Sequence, residues 1–379
     1  MESVRPAFDH FITEASKKST VCIVSDMHLG WTLDVARKHH VFHSSFLGMS
    51  AFSGAVFLSV MINLPHNHSD SDPFTLPEYP EVLVHRSQLA AYILNTSQSD
   101  PPTVFLQKQF STLYKTDALL INTNEYLDHI GLGMLKKTLN VPVIPIGPLV
   151  GSSYSSILSS EKDSNIFEWL DLHPMASVLY ISFGSQDSIQ KSQMMELALG
   201  LEASRRPFIW VIRPPLGFDA KDEFKDEWLP DSFEKRMKEE KRGFFVHGWA
   251  PQIAILSHKS IGAFLSHCGW NSVLESLNSG VPIIGWPLQA EQPFNVTLLL
   301  ELGVCVEVAR GKLETSEVEK KKVADTVEMV MGDNEKGHNM REKAKEISKM
   351  MKRAWKNETC SSAKGLAEFL KLVRRVTEK

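Results

Sequence analysis

The chain has 379 residues, 43% of them apolar and 23% charged, with a formal charge of −4. That composition excludes an intrinsically disordered chain, and the near balance of 41 basic and 45 acidic residues excludes a protein that grips nucleic acid by bulk positive charge. Four cysteines (Cys22, Cys268, Cys305 and Cys360) are too few for a disulfide framework and have no C-x-x-C spacing, which leaves zinc without a ligand set.

In chain order, residues 1–18 mix acids, bases and polar groups, so they do not read as a signal peptide, and a cytoplasmic protein is expected. Val21 to Ser25 is β-branched and apolar and predicts a strand closed by Asp26. A helix is expected around Thr32 to Lys38, and a strand near Val41 to Phe46. The apolar run Ala51 to Leu64 is shorter than the ~20 residues that cross a bilayer, so no membrane insertion is expected. Residues 65–86 show no periodicity and read as a surface loop. Asp117 to Asn122 predicts a strand, and Glu125 to Lys137 a helix. Val141 to Pro148, followed by serines at 152, 153, 155 and 156, has the composition of an interdomain linker. The N-x-[ST] sequons at Asn67, Asn95, Asn295 and Asn357 are attributed to chance.

From residue 177 onward short apolar runs alternate with helical patterns. Strands are expected at Ser177 to Phe183, Phe208 to Ile212, Gly243 to His247, Gly262 to Ser266, Pro282 to Trp286 and Val304 to Val308. Most gaps hold one helix, the pattern of βα units with a parallel sheet covered on both faces. Pro214 to Lys241 is polar and charged and reads as a solvated excursion; Glu314 to Val330 reads as a solvated helix. The domains are taken as 1–145, a linker at 146–160, 161–355, and a C-terminal helix at 356–379 that packs back on the first domain.

The chemistry concentrates in Trp249 to Gln292. The strand ending at Ser266 delivers His267, Cys268-Gly269-Trp270 turns the chain, and Asn271-Ser272 open a helix that stops at Gly280. A strand–turn–helix aims backbone N–H groups and the positive helix end at the carboxyl edge of the sheet, an anion site. His267 can add a side-chain N–H, and Gly269 allows close approach of a ligand to the backbone. Ser272-Val273-Leu274-Glu275 also fits a capping box, which is the structural alternative.

This stretch resembles the donor-binding signature of plant small-molecule UDP-glycosyltransferases. The resemblance rests on Trp249-Ala250-Pro251-Gln252, His258, Gly262, Phe264, His267 through Ser272, Glu275, Gly280-Val281-Pro282, Trp286-Pro287 and Glu291-Gln292. Flanking text at 145–149, 182–185 and 229–236 also fits, and the likeness runs from about Val21 to Leu370. It implies an α/β GT-B fold: two Rossmann-like domains facing a cleft, here with the N-terminal one incomplete. It also implies donor binding by the C-terminal domain, with Trp249 on uracil, the Ala250 backbone on the base edge, and Gln252 and Glu275 on ribose. Ser185, His267, Asn271 and Ser272 would bind the diphosphate, and Glu291 and Gln292 the sugar beside Trp270. A helix end plus His267 replaces a metal, so neither metal nor resident cofactor is expected; the UDP-sugar is a co-substrate. Gln292 in the last position favours glucose.

The sequence departs from the family in its first domain. Inverting transfer needs a base for the acceptor hydroxyl, in the family a histidine in a motif like P-x-x-x-x-G-H. That histidine is missing, as though the chain began after it. Its orienting aspartate is present as Asp26. His10, His28, His39, His40 and His43 all lie outside the family position and read as structural or solvated. Near Gly48, where relatives place a Thr or Ser against the sugar and phosphate, Ser50 is the nearest substitute. The expectation is a monomeric, inverting, UDP-glucose-dependent transferase acting on a small lipophilic or phenolic acceptor, with poor turnover. A catalytically impaired nucleotide-sugar-binding protein is the alternative. A dinucleotide-dependent dehydrogenase is disfavoured, because Gly131-Leu132-Gly133 lacks a third glycine and does not open a helix after a strand.

Overall fold

Continuous apolar runs bury both faces of a strand, which forces them into the interior of parallel sheets. The computed structural model, which describes residues 2–94, 101–150, 161–219, 222–311, 318–356 and 360–377, carries two such sheets. The chain divides into two compact units, residues 1–149 with 351–379, and residues 150–350.

In the first unit β1 (Cys22–Asp26), β2 (Phe42–Leu47), β5 (Ala118–Ile121) and β6 (Val143–Pro145) form a parallel sheet in the order β1-β2-β5-β6. Helices Trp31–His39 and Glu125–Thr138 lie where the periodicity placed them. The apolar run after β2 is a helix, Ala51–Asn63, buried along nearly its whole length. Ser50 caps it, accepting from the Ser53 N–H at 3.0 Å. Ser50 is fully buried in that role, so it does not serve as the sugar contact expected of it. The Asp128 carboxylate accepts from the Ala51 and Phe52 N–H groups at 2.5 and 3.2 Å, tying the two helices together.

Two sequence expectations are corrected here. Residues 65–86 are packed, not a surface loop: β3 (Phe74–Thr75) pairs with β4 (Leu83–Val84), and Phe74, Leu76, Tyr79 and Val84 are buried. Aromatic anchors hold the segment without any period for the sequence to display. Residues 143–145 of the expected linker are strand β6; the serines at 152, 153, 155 and 156, like the sequons at Asn95 and Asn357, lie outside the described residues. A helix over Arg5–Ser16 carries His10, as the sequence led one to expect, whereas the helix Pro101–Ser111 was not anticipated. The helix Ser361–Thr377 packs on the same sheet, with Phe369 edge-on to Phe42 at 5.9 Å.

In the second unit β7 (Val178–Ser182), β8 (Phe208–Ile212), β9 (Gly243–His247), β10 (Ile261–Ser266), β11 (Ile283–Gly285) and β12 (Cys305–Glu307) are parallel, in the order β12-β11-β10-β7-β8-β9. From β7 the chain builds outward through β8 and β9, then returns to place β10 on the other side of β7. This β7/β10 boundary is the topological switch point, where open α/β sheets bind ligands beyond their carboxyl ends. The expected excursion at 214–241 is also corrected: Trp228, Leu229, Phe233 and Met237 are buried in the core, the last two on a helix, Phe233–Glu239. The expected helix near 314–330 runs from Lys320 to Met331, its first positions lying outside the described residues.

Candidate functional site at the switch point of the second sheet

Register brings the two loops of the switch point together. Ser266 of β10 pairs with Ser182 of β7, so the residues that follow each strand leave the sheet side by side. Gly184 follows β7 with φ +81°, a backbone that side-chain-bearing residues rarely adopt. Cys268 follows β10 with φ 62°, and its carbonyl accepts from Asn295 Nδ2 at 2.9 Å, which fixes the turn.

His267 sits between the two loops. A Cβ built on Gly184 would lie 2.7 Å from His267 Nε2, and one on Gly269 would lie 2.6 Å from the same atom. Both glycines therefore exist as space for this imidazole. Its Nδ1 is buried without a well-formed hydrogen bond, the Ser182 carbonyl being the nearby acceptor. Burial lowers the His267 pKa to about 4 against the opposing pull of Asp187 and that carbonyl. The ring is neutral at pH 7 and can present an N–H to an anion.

The helix after the turn runs Trp270–Ser279 with Gly269 as its N-cap, and no side chain caps it. The capping-box alternative is thus overturned: Ser272 and Glu275 lie inside the helix, and both turn to Gln252 instead. Gln252 Nε2 donates to Glu275 Oε2 at 2.7 Å and to Ser272 Oγ at 3.0 Å, while its Oε1 accepts from Tyr180 OH at 3.2 Å. Burial raises the Glu275 pKa, and the Gln252 bond partly offsets it. Asn271 is exposed on the first turn, and Trp270 is buried beneath it.

Trp249 follows β9 and is 82% exposed, a large apolar ring left in solvent at the carboxyl edge of the sheet. It borders an open cleft with Arg213, Phe224, His247 and Gly248. Ala250 behind it is buried. Ser185 is exposed, and its carbonyl accepts from Arg213 Nη1 at 2.6 Å. Glu291 precedes the helix Gln292–Glu301. Gln292 is buried, with Oε1 accepting from Leu288 and Gln289 N–H at 2.8 and 3.0 Å, so its oxygen serves the backbone.

The structure adds residues that sequence reasoning missed. Tyr180 orients Gln252, Arg213 fixes the Ser185 loop, Asn295 fixes the Cys268 turn, and buried Asp187 accepts from Gln289 Nε2 at 3.1 Å. Asn295 is fully buried, which also removes its sequon from consideration.

In the first unit Asp26 closes β1 at the carboxyl edge of its sheet, where His28 Nδ1 lies 2.7 Å from its Oδ1. His43 is buried among Ser25, Thr32 and Thr116, and His39 pairs with Asp9 at 2.7 Å. Among the described residues no group of three or more His, Cys, Asp or Glu is placed to hold a metal, and no helix is long and apolar enough to cross a membrane.

The family model "UDP-glucoronosyl and UDP-glucosyl transferase" matches residues 162–351. UDP-glycosyltransferase 92A1 of Arabidopsis thaliana is 40% identical over 97% of this chain and 76% of its own length. Crocetin glucosyltransferase 3 of Crocus sativus is 38% identical over 84% of this chain and 70% of its own. Among solved structures, Glycyrrhiza uralensis UGT73P12 complexed with glycyrrhetinic acid 3-O-monoglucuronide superposes with a TM-score of 0.85 at 29% identity, covering 99% of this chain and 77% of that one. Medicago truncatula UGT71G1 complexed with UDP-glucose gives 0.81 at 28%, covering 99% and 79%.

Proposed function

The chain belongs to the family of UDP-glucuronosyl and UDP-glucosyl transferases, and on that premise we propose that it transfers glucose from UDP-glucose, with inversion, to a hydroxyl of a small lipophilic or phenolic acceptor. One observation carries the donor half: the His267 imidazole held between Gly184 and Gly269 at the switch point, beside an uncapped helix N-terminus. A diphosphate there meets the helix N–H groups of Asn271 and Ser272, the His267 ring and the Ser185 loop. The helix end supplies the positive potential, so no metal is needed to screen the leaving group.

Trp249 stacks on uracil, which accounts for a large apolar ring left in solvent, and the Ala250 backbone meets the base edge. Gln252 and Glu275, locked at 2.7 Å, hold the ribose diol. Glu291 and the amide nitrogen of Gln292 face the sugar, with Trp270 beneath. Glucose rather than another hexose, and a monomeric cytoplasmic enzyme, belong to the same proposal.

Calorimetry with UDP tests it. His267→Ala and Glu275→Ala should each weaken binding by ~1.5–3 kcal/mol, the scale of hydrogen bonds to charged groups. Titrations with and without a chelator should superimpose. Unchanged affinity in both variants, or a strong dependence on a divalent ion, would refute the donor site.

A further inference from the structure

We propose that Arg213, at the end of β8, supplies the cationic charge to which the donor's diphosphate is drawn, while it steadies the Ser185 loop. The inference rests on the transferase reading and adds to it a residue outside the Trp249 to Gln292 window.

Register puts the guanidinium there. Ser182 of β7 pairs with Val211 of β8, so Gly184 and Arg213 leave the sheet side by side. On the other flank of β7, Ser182 pairs with Ser266, which brings in His267. The loop at Gly184 and Ser185 therefore runs between a neutral imidazole and a cation. Arg213 Nη1 donates to the Ser185 carbonyl at 2.6 Å, which engages the negative end of that peptide dipole. Arg213 also borders the cleft that holds Trp249 and Gly248. Burial raises the Tyr180 pKa; the Ser182 bond and the Arg213 charge oppose the rise, and Glu275 adds to it. The guanidinium thus lies within electrostatic reach of the Tyr180 hydroxyl that orients Gln252.

The charge is unspent. Among the described residues no carboxylate pairs with Arg213, and the Ser185 carbonyl is the one acceptor it meets, so most of the N–H groups of its fork are free. Other cations at this edge are neutralised. Arg310, after β12, is held by both oxygens of Glu307 at 2.7 and 2.5 Å, and His247 lies 3.1 Å from Glu234.

A diphosphate needs such a charge. His267 is neutral, its pKa lowered to about 4, and Asp187, Glu275 and Glu291 bring carboxylates to the same edge. A helix end supplies about half a unit of charge, against about two on a diphosphate ester. A partly buried guanidinium without a counter-ion fills the difference, and its planar fork matches a pair of phosphate oxygens.

The experiment uses the full chain as wild type, Arg213→Gln and Arg213→Lys, with calorimetry of UDP at low and high salt and of uridine at millimolar concentration. Uridine keeps the base and ribose but carries no phosphate. Its affinity should stay within about twofold in all three proteins, which also reports folding. Arg213→Gln removes the charge and should weaken UDP about tenfold to a hundredfold, the range of hydrogen bonds to charged groups. The salt dependence of UDP binding should flatten with it. Arg213→Lys returns the charge and should recover most of the affinity and of the salt dependence. A role confined to holding the Ser185 loop would leave the lysine variant as weak as the glutamine one, and that result would overturn the proposal. So would equal losses for uridine and UDP, or an Arg213→Gln chain that binds UDP within about twofold of wild type. Failure of the wild type to bind UDP would strike the donor-site reading first, and this inference with it. UDP binding weakened by His267→Ala but untouched by Arg213→Gln would strike this inference alone.

Discussion

Replacing Gly184 or Gly269 with alanine separates two effects that converge on one atom. Both new methyl groups would press on His267 Nε2, from 2.7 and 2.6 Å. Moving the ring back to ordinary contact at 3.4 Å requires a retreat of about 0.7 Å and 0.8 Å respectively. A 2.9 Å hydrogen bond stretched by that amount leaves the hydrogen-bonding range. Each variant should therefore lose the imidazole contact to the diphosphate, about 1.5–3 kcal/mol, or tenfold to more than a hundredfold in UDP affinity. Stability should diverge. Gly184 has φ +81°, where alanine adds about 1–2 kcal/mol of backbone strain. Gly269 has φ −59° and ψ 140°, which alanine adopts freely. Calorimetry with UDP and urea unfolding of the three proteins make the comparison. Wild-type affinity in Gly269→Ala would refute the placement of His267 against the diphosphate. Equal stability losses would refute the strain argument.

Trp249→Ala should leave urea stability unchanged within about 0.5 kcal/mol, because the ring is 82% exposed, while weakening UDP and sparing inorganic diphosphate; equal losses for both ligands would assign Trp249 to the fold. Acid should act on the first unit through His43, whose pKa of about 4 lies below the ordinary 6.5. Between those values the unfolded chain holds the extra proton, so stability is complete above pH 6.5 and about 3 kcal/mol lower by pH 4. His43→Gln should flatten the acid limb of a urea-unfolding series by that amount, whereas an unchanged slope would mean that His43 does not stay neutral. Among the described residues β1 pairs with β2 alone and leaves Val24 47% exposed. Val24→Lys should reduce light scattering on concentration by blunting that edge; equal scattering would locate aggregation elsewhere.

The strands were legible because parallel sheets write their interior positions as uninterrupted β-branched runs; Val178–Ser182 and Phe208–Ile212 are buried at every position. Segments held by scattered anchors left no such trace. Trp228, Phe233 and Met237 are spaced through a charged stretch whose average is polar, and Phe74 and Tyr79 through an aperiodic one. The candidate site was legible where its residues fall in one window and not where partners come from other strands. Tyr180 reaches Gln252 across 72 residues of sequence, and Asp187 reaches Gln289 across 102. The contact of His28 with Asp26 was not legible, because the short turn at Met27–Leu29 that folds the ring onto the carboxylate is packed by buried Met27 and tied through Gly30 to Gln109, which local sequence does not announce.

The first unit is discontinuous: the helix Ser361–Thr377 covers a sheet whose strands all lie before residue 146. Phe42 waits for Phe369, and the Gly147 carbonyl for the Ser362 hydroxyl. During synthesis, residues 150–350 are all made before those partners exist. The second unit can therefore mature first, while the earlier-made one lingers with part of its apolar sheet uncovered. Order of emergence and order of completion are reversed, and a chaperone that holds nascent chains would find its client in the segment made first.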